Sequence, residues 1–497
     1  MIKRVYQTFM SIIWALLVVS LPITSFPLLA NIFGGTSVAP LSVVFLIPLL
    51  VIWYLPKLIK EKNIPKHALP LLLFIVFVLI SSLAGYYFIT PSFRSIPVWR
   101  SIFEAIVTLG MGVCFYLVVS KFIDNESKLR TFIKLINYSG LIMVLYALAQ
   151  AIVFYVLWRY PEFMKTFQKT ISSSGILFVR RTTGLAYEPS WYAHLLNMLY
   201  LPIWLGMSIK KESVHKFRVL KISLENVLLV LGSISLFLSF SRIGWLGFIA
   251  VLGYLIFRLM ILLSRILVVK IQKIKGKDLS RQSKIFLQIG FWFVTLISMV
   301  SILIVAGIIL TKLDPRMEGL FDLALIREKG LLEWAGELIF AERLMYWVAG
   351  YRVFLNYPIL GIGLGKVGYY FQQTFTSFGY KLPEIISVII RKGFIPNAKN
   401  LWVRILAETG IVGFSIFTAW LYVHWKSARS IEKNENTFLS SFGLVGQIFL
   451  IALILEGFSL DSFGLPYYWV SLGVIVAVYR LVVRKGSNSI DNESTSM

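Results

Sequence analysis

Residues 395–413 read IPNAKNLWVRILAETGIVG. The apolar run continues to residue 424 and marks a membrane helix, yet its mouth carries Asn397, Lys399, Asn400, Arg404 and Glu408. Ionisable groups entering lipid are costly and point to function.

The rest of the chain repeats the apolar signal. It has 497 residues, is 58% hydrophobic and 15% charged, and has a mean hydropathy of +0.78. A soluble chain is about 25% charged. Long apolar runs recur near 9–30, 39–59, 68–89, 101–123, 132–157, 191–209, 222–240, 243–264, 286–311, 400–424, 438–457 and 465–483. Each is roughly 17–28 residues, the length a bilayer requires. The expected fold is therefore all-α: a polytopic membrane protein with about twelve transmembrane helices. The first run lacks a clear small-x-small cleavage site and reads as an anchor.

The net charge of +25 falls between the apolar runs, so no nucleic-acid partner is expected. Lysine and arginine crowd every even-numbered loop, as at Lys57–Lys66, Lys210–Lys221 and Arg265–Lys284. Short odd loops are nearly free of them, which predicts both termini in the cytoplasm. Two odd loops are longer, 158–190 and 312–399, and the second is the one large external loop expected. Part of it, LFDLALIREKGLLEWAGELIFAERLMYWV, suggests helices lying on the membrane surface. The single cysteine, Cys114, lies in an apolar run, so no intramolecular disulfide forms. No D-x-D or H-E-x-x-H spacing occurs in the large loop; no metal and no cofactor are expected.

This topology puts the N-termini of even-numbered helices outside. Three have cations beside them: Arg180 and Arg181 in VRRTTGLAYEPSWYAH, Arg242 in SFSRIGWLG, and Lys399 and Arg404 in PNAKNLWVR. Helix N-termini carry free N–H groups and about half a positive charge. Together they suggest one anion site for a phosphate-bearing substrate, although external arginines also serve lipid head groups. Glu188 either orients Arg181 or accepts a proton. His194, alone of the four histidines near the outside, is a structural group or a base. Arg404 and Glu408 stand at i, i+4 and are expected to pair. RVFLNYPILGIGLGK brings Arg352 near Gly361, Gly363 and Gly365; it reads as a tight turn or a backbone cradle for phosphate.

Four stretches, RRTTGLAYEPSWYA, SFSRIGWLG, YWVAGYRVFLNYPILGIGLGKV and NAKNLWVRILAETGIVG, resemble the O-antigen ligase and polymerase family of bacterial envelope glycan assembly. The likeness covers about residues 180–425 and divides the chain into 1–179, the core 180–425, the last helices 426–484 and a disordered cytoplasmic tail 485–497. It implies a glycosyltransferase of the bacterial inner membrane, acting on the outer face without a metal. The donor would be an undecaprenyl diphosphate-linked glycan and the acceptor a sugar hydroxyl. By motif, Arg181 or Arg180, and Arg242, match arginines that hold the diphosphate, with Lys399 beside them and Glu188 near the reaction. With Arg352, Gly363 and Asn400 from the likeness, and His194 and Arg404 from their places at helix ends, these five are the expected substrate-binding residues. Arg352 and Gly363 match an arginine–ten residues–glycine pattern of polymerases. Lys399 stands where ligases of the family carry histidine, which favours a polymerase of repeat units over a ligase. Membrane lipid, a chain-length regulator and a flippase are the expected partners. The rival from another class is a transporter or lipid-linked oligosaccharide flippase, which would place its charges near the midplane.

Overall fold

The computed structural model describes residues 1–33, 35–87, 90–93, 96–218, 220–275, 280–313, 322–337, 340–387 and 395–495. Parts of the expected external loop, 314–321, 338–339 and 388–394, lie outside the described residues. The chain is 77% helical, and no strand occurs among the described residues beyond an isolated bridge between Ser25 and Ala39.

Among the described residues, nine helices are long and apolar enough to cross a membrane: Ser42–Glu61, Lys66–Tyr86, Val98–Phe122, Glu126–Leu157, Arg242–Ile274, Gln282–Ile309, Leu401–Glu432, Thr437–Glu456 and Pro466–Lys485. This is a multi-pass membrane protein. Each of the nine lies on one of the apolar runs. The other three runs are helical but take different forms. The first helix, Ile2–Val19, stops short, and a separate turn of helix follows at Pro27–Ile32. The run 191–209 forms Pro189–Leu195, a wide π turn at Leu196–Tyr200, and Leu201–Ile209. Leu224–Leu238 is apolar but only 15 residues long.

Side-chain caps begin several helices: Asn125 accepts from the Lys128 N–H, Ser223 from Asn226 and Asn436 from Leu439. Each satisfies a donor that the first helical turn leaves open. The last helix, Pro466–Thr495, extends into the segment read from sequence as a tail.

Contacts divide the chain into two units, 1–245 with 346–497, and 246–345. The first is built around Thr437–Glu456 and Pro466–Lys485, whose apolar stretches are 83% and 72% buried. Trp204, Trp420, Trp469, Tyr467 and Tyr468 fill the same core. In the second unit the long apolar helices leave most of their surface uncovered, as expected of helices whose solvent is lipid.

The Leu401–Glu432 helix is broken at Gly410, which sits at φ +62° and ψ −168°. The segment 358–364 is fitted into that break. Ile362 and Gly363 donate their N–H groups to the carbonyls of Ala407 and Glu408 at 3.1 and 2.9 Å, and Ile411 donates to the Pro358 carbonyl at 2.8 Å. Irregular backbone within a bundle persists only when neighbouring groups take up the freed hydrogen bonds, as they do here.

Candidate functional site

The segment 172–188 is tied down at several points. Gln150, buried in the Glu126–Leu157 helix, accepts from the Thr183 and Gly184 N–H groups at 2.9 and 3.1 Å. Thr182 N–H reaches the Leu238 carbonyl at 3.0 Å, and Tyr187 N–H reaches Thr24 Oγ1 at 2.9 Å. Arg181, between these anchors, donates from Nε to the Ser239 carbonyl at 3.2 Å. It therefore stands beside the turn from which the Arg242 helix starts. Arg180 is exposed, and its φ of +58° is uncommon for a residue with a side chain. Phe240, just before Arg242, shares that conformation at +48°. Arg242 is half-buried at the first position of its helix.

Glu188 precedes the Pro189 helix, and Ser190 donates its hydroxyl to the Glu188 carboxylate. The expected alternatives were an Arg181 partner or a proton acceptor; the described bond of Glu188 comes from Ser190.

His194 is 1% exposed, and its Nδ1 lies 2.6 Å from Oε2 of the fully buried Glu456. Asn197 donates to the other oxygen of Glu456 and to the Gly244 carbonyl at 2.7 Å. That second bond fixes the His194 segment against the first turn of the Arg242 helix. Glu456 ends its helix, and the next residue, Gly457, accepts the Leu401 N–H at 2.8 Å. The last turn of the Pro189 helix and the start of the Leu401 helix thus meet at residues 456–457, and Asn197 links the first turn of the Arg242 helix to them.

At the Leu401 mouth, Asn400 is the N-cap, its Oδ1 accepting from Trp402 and Val403 N–H at 2.9 and 3.1 Å. Asp461 accepts the Lys399 N–H at 2.8 Å and a hydrogen bond from Asn397 at 3.3 Å. Arg404 Nε meets Glu408 Oε2 at 3.0 Å, and its Nη1 donates to the Asp461 carbonyl at 2.5 Å. Much of the polar mouth is thus the capping and bracing of one helix start. Lys399 takes a left-handed φ of +49°. Its ammonium pairs with Glu384 and lies 4.8 Å from the centre of the Tyr346 ring.

Arg352 and Gly363 are held by contacts of their own. Arg352, on the Ala341–Asn356 helix, donates to the Thr374 carbonyl at 3.1 Å and lines a 360 Å³ cavity with Trp347, Tyr351, Leu355 and Val403. Gly363 has its N–H occupied by the Glu408 carbonyl, so the glycine-rich turn acts as a plug. Beside it, burial lowers the pKa of Lys366 to about 8, and its ammonium donates to the Gly85 carbonyl.

Among the described residues, Asn197 Oδ1, Asn400 Nδ2 and the Tyr467 hydroxyl are buried without a hydrogen-bond partner, as are polar atoms elsewhere in the bundle. No group of three or more His, Cys, Asp or Glu suited to a metal occurs among the described residues.

Residues 227–418 match the family model described as O-antigen ligase. Over that stretch the chain is similar to the O-antigen ligase family. The match covers less than half of the chain but contains Arg242, Arg352, Gly363, Lys399, Asn400 and Arg404. It supports the O-antigen ligase/polymerase family and membrane glycan processing of that type. No curated protein matches the chain. Glu456 and His194 fall outside the matched residues. Glu456 carried no signal in the sequence, because its importance comes from a partner 262 residues away.

Proposed function

We propose that the protein is a glycosyltransferase that lengthens an envelope glycan on the outer face of the cytoplasmic membrane. The donor is a glycan on undecaprenyl diphosphate, and the acceptor is a sugar hydroxyl of another lipid-linked unit. The hydroxyl oxygen attacks the anomeric carbon, and the diphosphate leaves with the bonding electrons. Arg181 and Arg242 stabilise the charge gathering on that leaving group, assisted by the N-terminus of the Arg242 helix. Arg180, exposed beside them, meets the anionic carrier first. Lys399, partly neutralised by Glu384, contributes less. Glu188, Asn400 and Arg404 shape the rim. Arg352, with its aromatic cavity, binds sugar away from the diphosphate, and Gly363 holds the turn below the rim. The substrate's phosphate ester supplies the driving force, so neither nucleotide nor metal is required.

The observation that carries this reading is the bond from Arg181 to the Ser239 carbonyl, which sets one candidate cation beside the helix start of another. Lys399 in the ligase histidine's position favours polymerisation over ligation. The test uses purified protein in liposomes containing an undecaprenyl diphosphate-linked repeat unit, without nucleotide or metal. Wild type should build a ladder of longer glycans, and Arg242→Ala should not. Transport of intact lipid-linked units across the bilayer, with no ladder, overturns the reading in favour of a flippase.

A further inference from the structure

His194 and Glu456 form a buried pair that the arginines do not account for. Burying two ionisable groups costs desolvation free energy, so a pair of this kind calls for an account. Oε2 of Glu456 lies within hydrogen-bond distance of His194 Nδ1, and Oε1 accepts a hydrogen bond from Asn197. With Nδ1 engaged by the Glu456 carboxyl, the second ring nitrogen, Nε2, is the one left for another partner. No hydrogen bond of Nε2 occurs among the described residues. A carboxylate–imidazole pair with a free distal nitrogen is the arrangement of a general base.

Its position fits the need. Through Asn197 and the Gly244 carbonyl the pair is fixed to the first turn of the Arg242 helix. The Tyr467 hydroxyl, buried without a partner, lies within electrostatic range of both Glu456 and Glu188. With 1% of its surface exposed, His194 is shielded from bulk water.

Resting on the glycosyl-transfer reading above, we infer that His194 is the base that takes the proton of the acceptor hydroxyl, and that Glu456 is its positioning residue. The acceptor oxygen forms its bond to the anomeric carbon as the bond from that carbon to the diphosphate oxygen breaks. The hydroxyl proton passes to His194 Nε2. Glu456 stabilises the resulting imidazolium, which then returns its proton to the departing diphosphate or to water.

The test measures initial rates of elongation against pH in the same liposomes for wild type, His194→Asn, Glu456→Gln and Glu456→Asp. The titratable groups linked to Glu456 are Tyr467 and, through it, Tyr468 and Glu188. The expected loss for His194→Asn is about a hundredfold in kcat with little change in KM for the donor. Glu456→Gln should lower kcat and displace the acid limb of the pH profile, and Glu456→Asp should recover part of both. Donor retention in a binding assay identifies variants that fold. If wild type elongates and folded His194→Asn keeps its rate and pH profile, the base assignment falls while glycosyl transfer stands. If wild type transfers no glycan, both fall. If His194→Asn fails to fold, a wild-type profile unmoved by Glu456→Asp overturns the assignment.

Discussion

Gly363 donates its backbone N–H to the carbonyl of Glu408 at 2.9 Å, across a break in a membrane helix. The turn must take φ +92° to do so, and a Cβ there would lie 2.9 Å from the Ser82 Cα and 3.3 Å from the Ser81 carbonyl. Gly363→Ala is therefore expected to destabilise the protein by about 1–3 kcal/mol. Gly110, in the Val98–Phe122 helix, has nothing within 4 Å of its Cβ position. Gly110→Ala should be neutral or stabilising by about 0.5–1 kcal/mol. Thermal unfolding in detergent compares them, and equal shifts would refute the plug.

Arg404 and Glu408 form a pair in which Glu408 is 1% exposed. Removing Arg404 alone leaves a carboxylate buried without its counter-charge, a change that costs about 3–5 kcal/mol. Arg404→Met should lower stability by this order, and adding Glu408→Gln should recover much of it. A folded Arg404→Met protein of unchanged melting temperature, with activity lost, would instead make Arg404 a substrate contact.

The cations of the site should differ in weight. Arg181→Ala and Arg242→Ala are each expected to reduce kcat about a hundred- to a thousandfold. Lys399, with a side chain 28% exposed and already paired to Glu384, should matter far less. Lys399→Met is expected to stay within about fivefold of wild type, the factor that corresponds to roughly 1 kcal/mol. Elongation rates at saturating donor decide this ranking.

Lys366 gives a pH signature. Burial lowers its pKa from 10.5 to about 8, so the unfolded chain binds more protons between those values. Stability must then rise with pH across that window. The contribution is complete above 10.5 and is lost as pH falls through about 8. Wild type should gain on Lys366→Met between pH 8 and 10.5, measured as the difference in melting temperature; parallel curves would count against it.

The nine long helices were legible because a membrane imposes length and hydropathy on contiguous residues. So was the Arg404–Glu408 pair, which helical spacing brings together. The mouth of the Leu401 helix was legible as polar, but not the division of labour within it. Asn400 caps, Arg404 braces, and Lys399 reaches Glu384 through a contact that no local period encodes. The break at Gly410 was hidden because ETGIVG continues an apolar helical run, and the bonds that tolerate the break come from residues 358–364. Glu456 was invisible for the same reason: its partners come from another part of the chain.

The plugged break also fixes the chain's register. The bonds from Ile362, Gly363 and Ile411 mesh two stretches of backbone like teeth, each tooth one residue wide. A loop that only spans a gap accepts an added or missing residue. This one does not, since a deletion between Pro358 and Gly363 moves every donor past its acceptor. The slip would reach Glu408 and, through it, the guanidinium of Arg404 at the mouth of the helix. The stretch from Pro358 to Gly363 therefore tolerates changes of side chain better than changes of length.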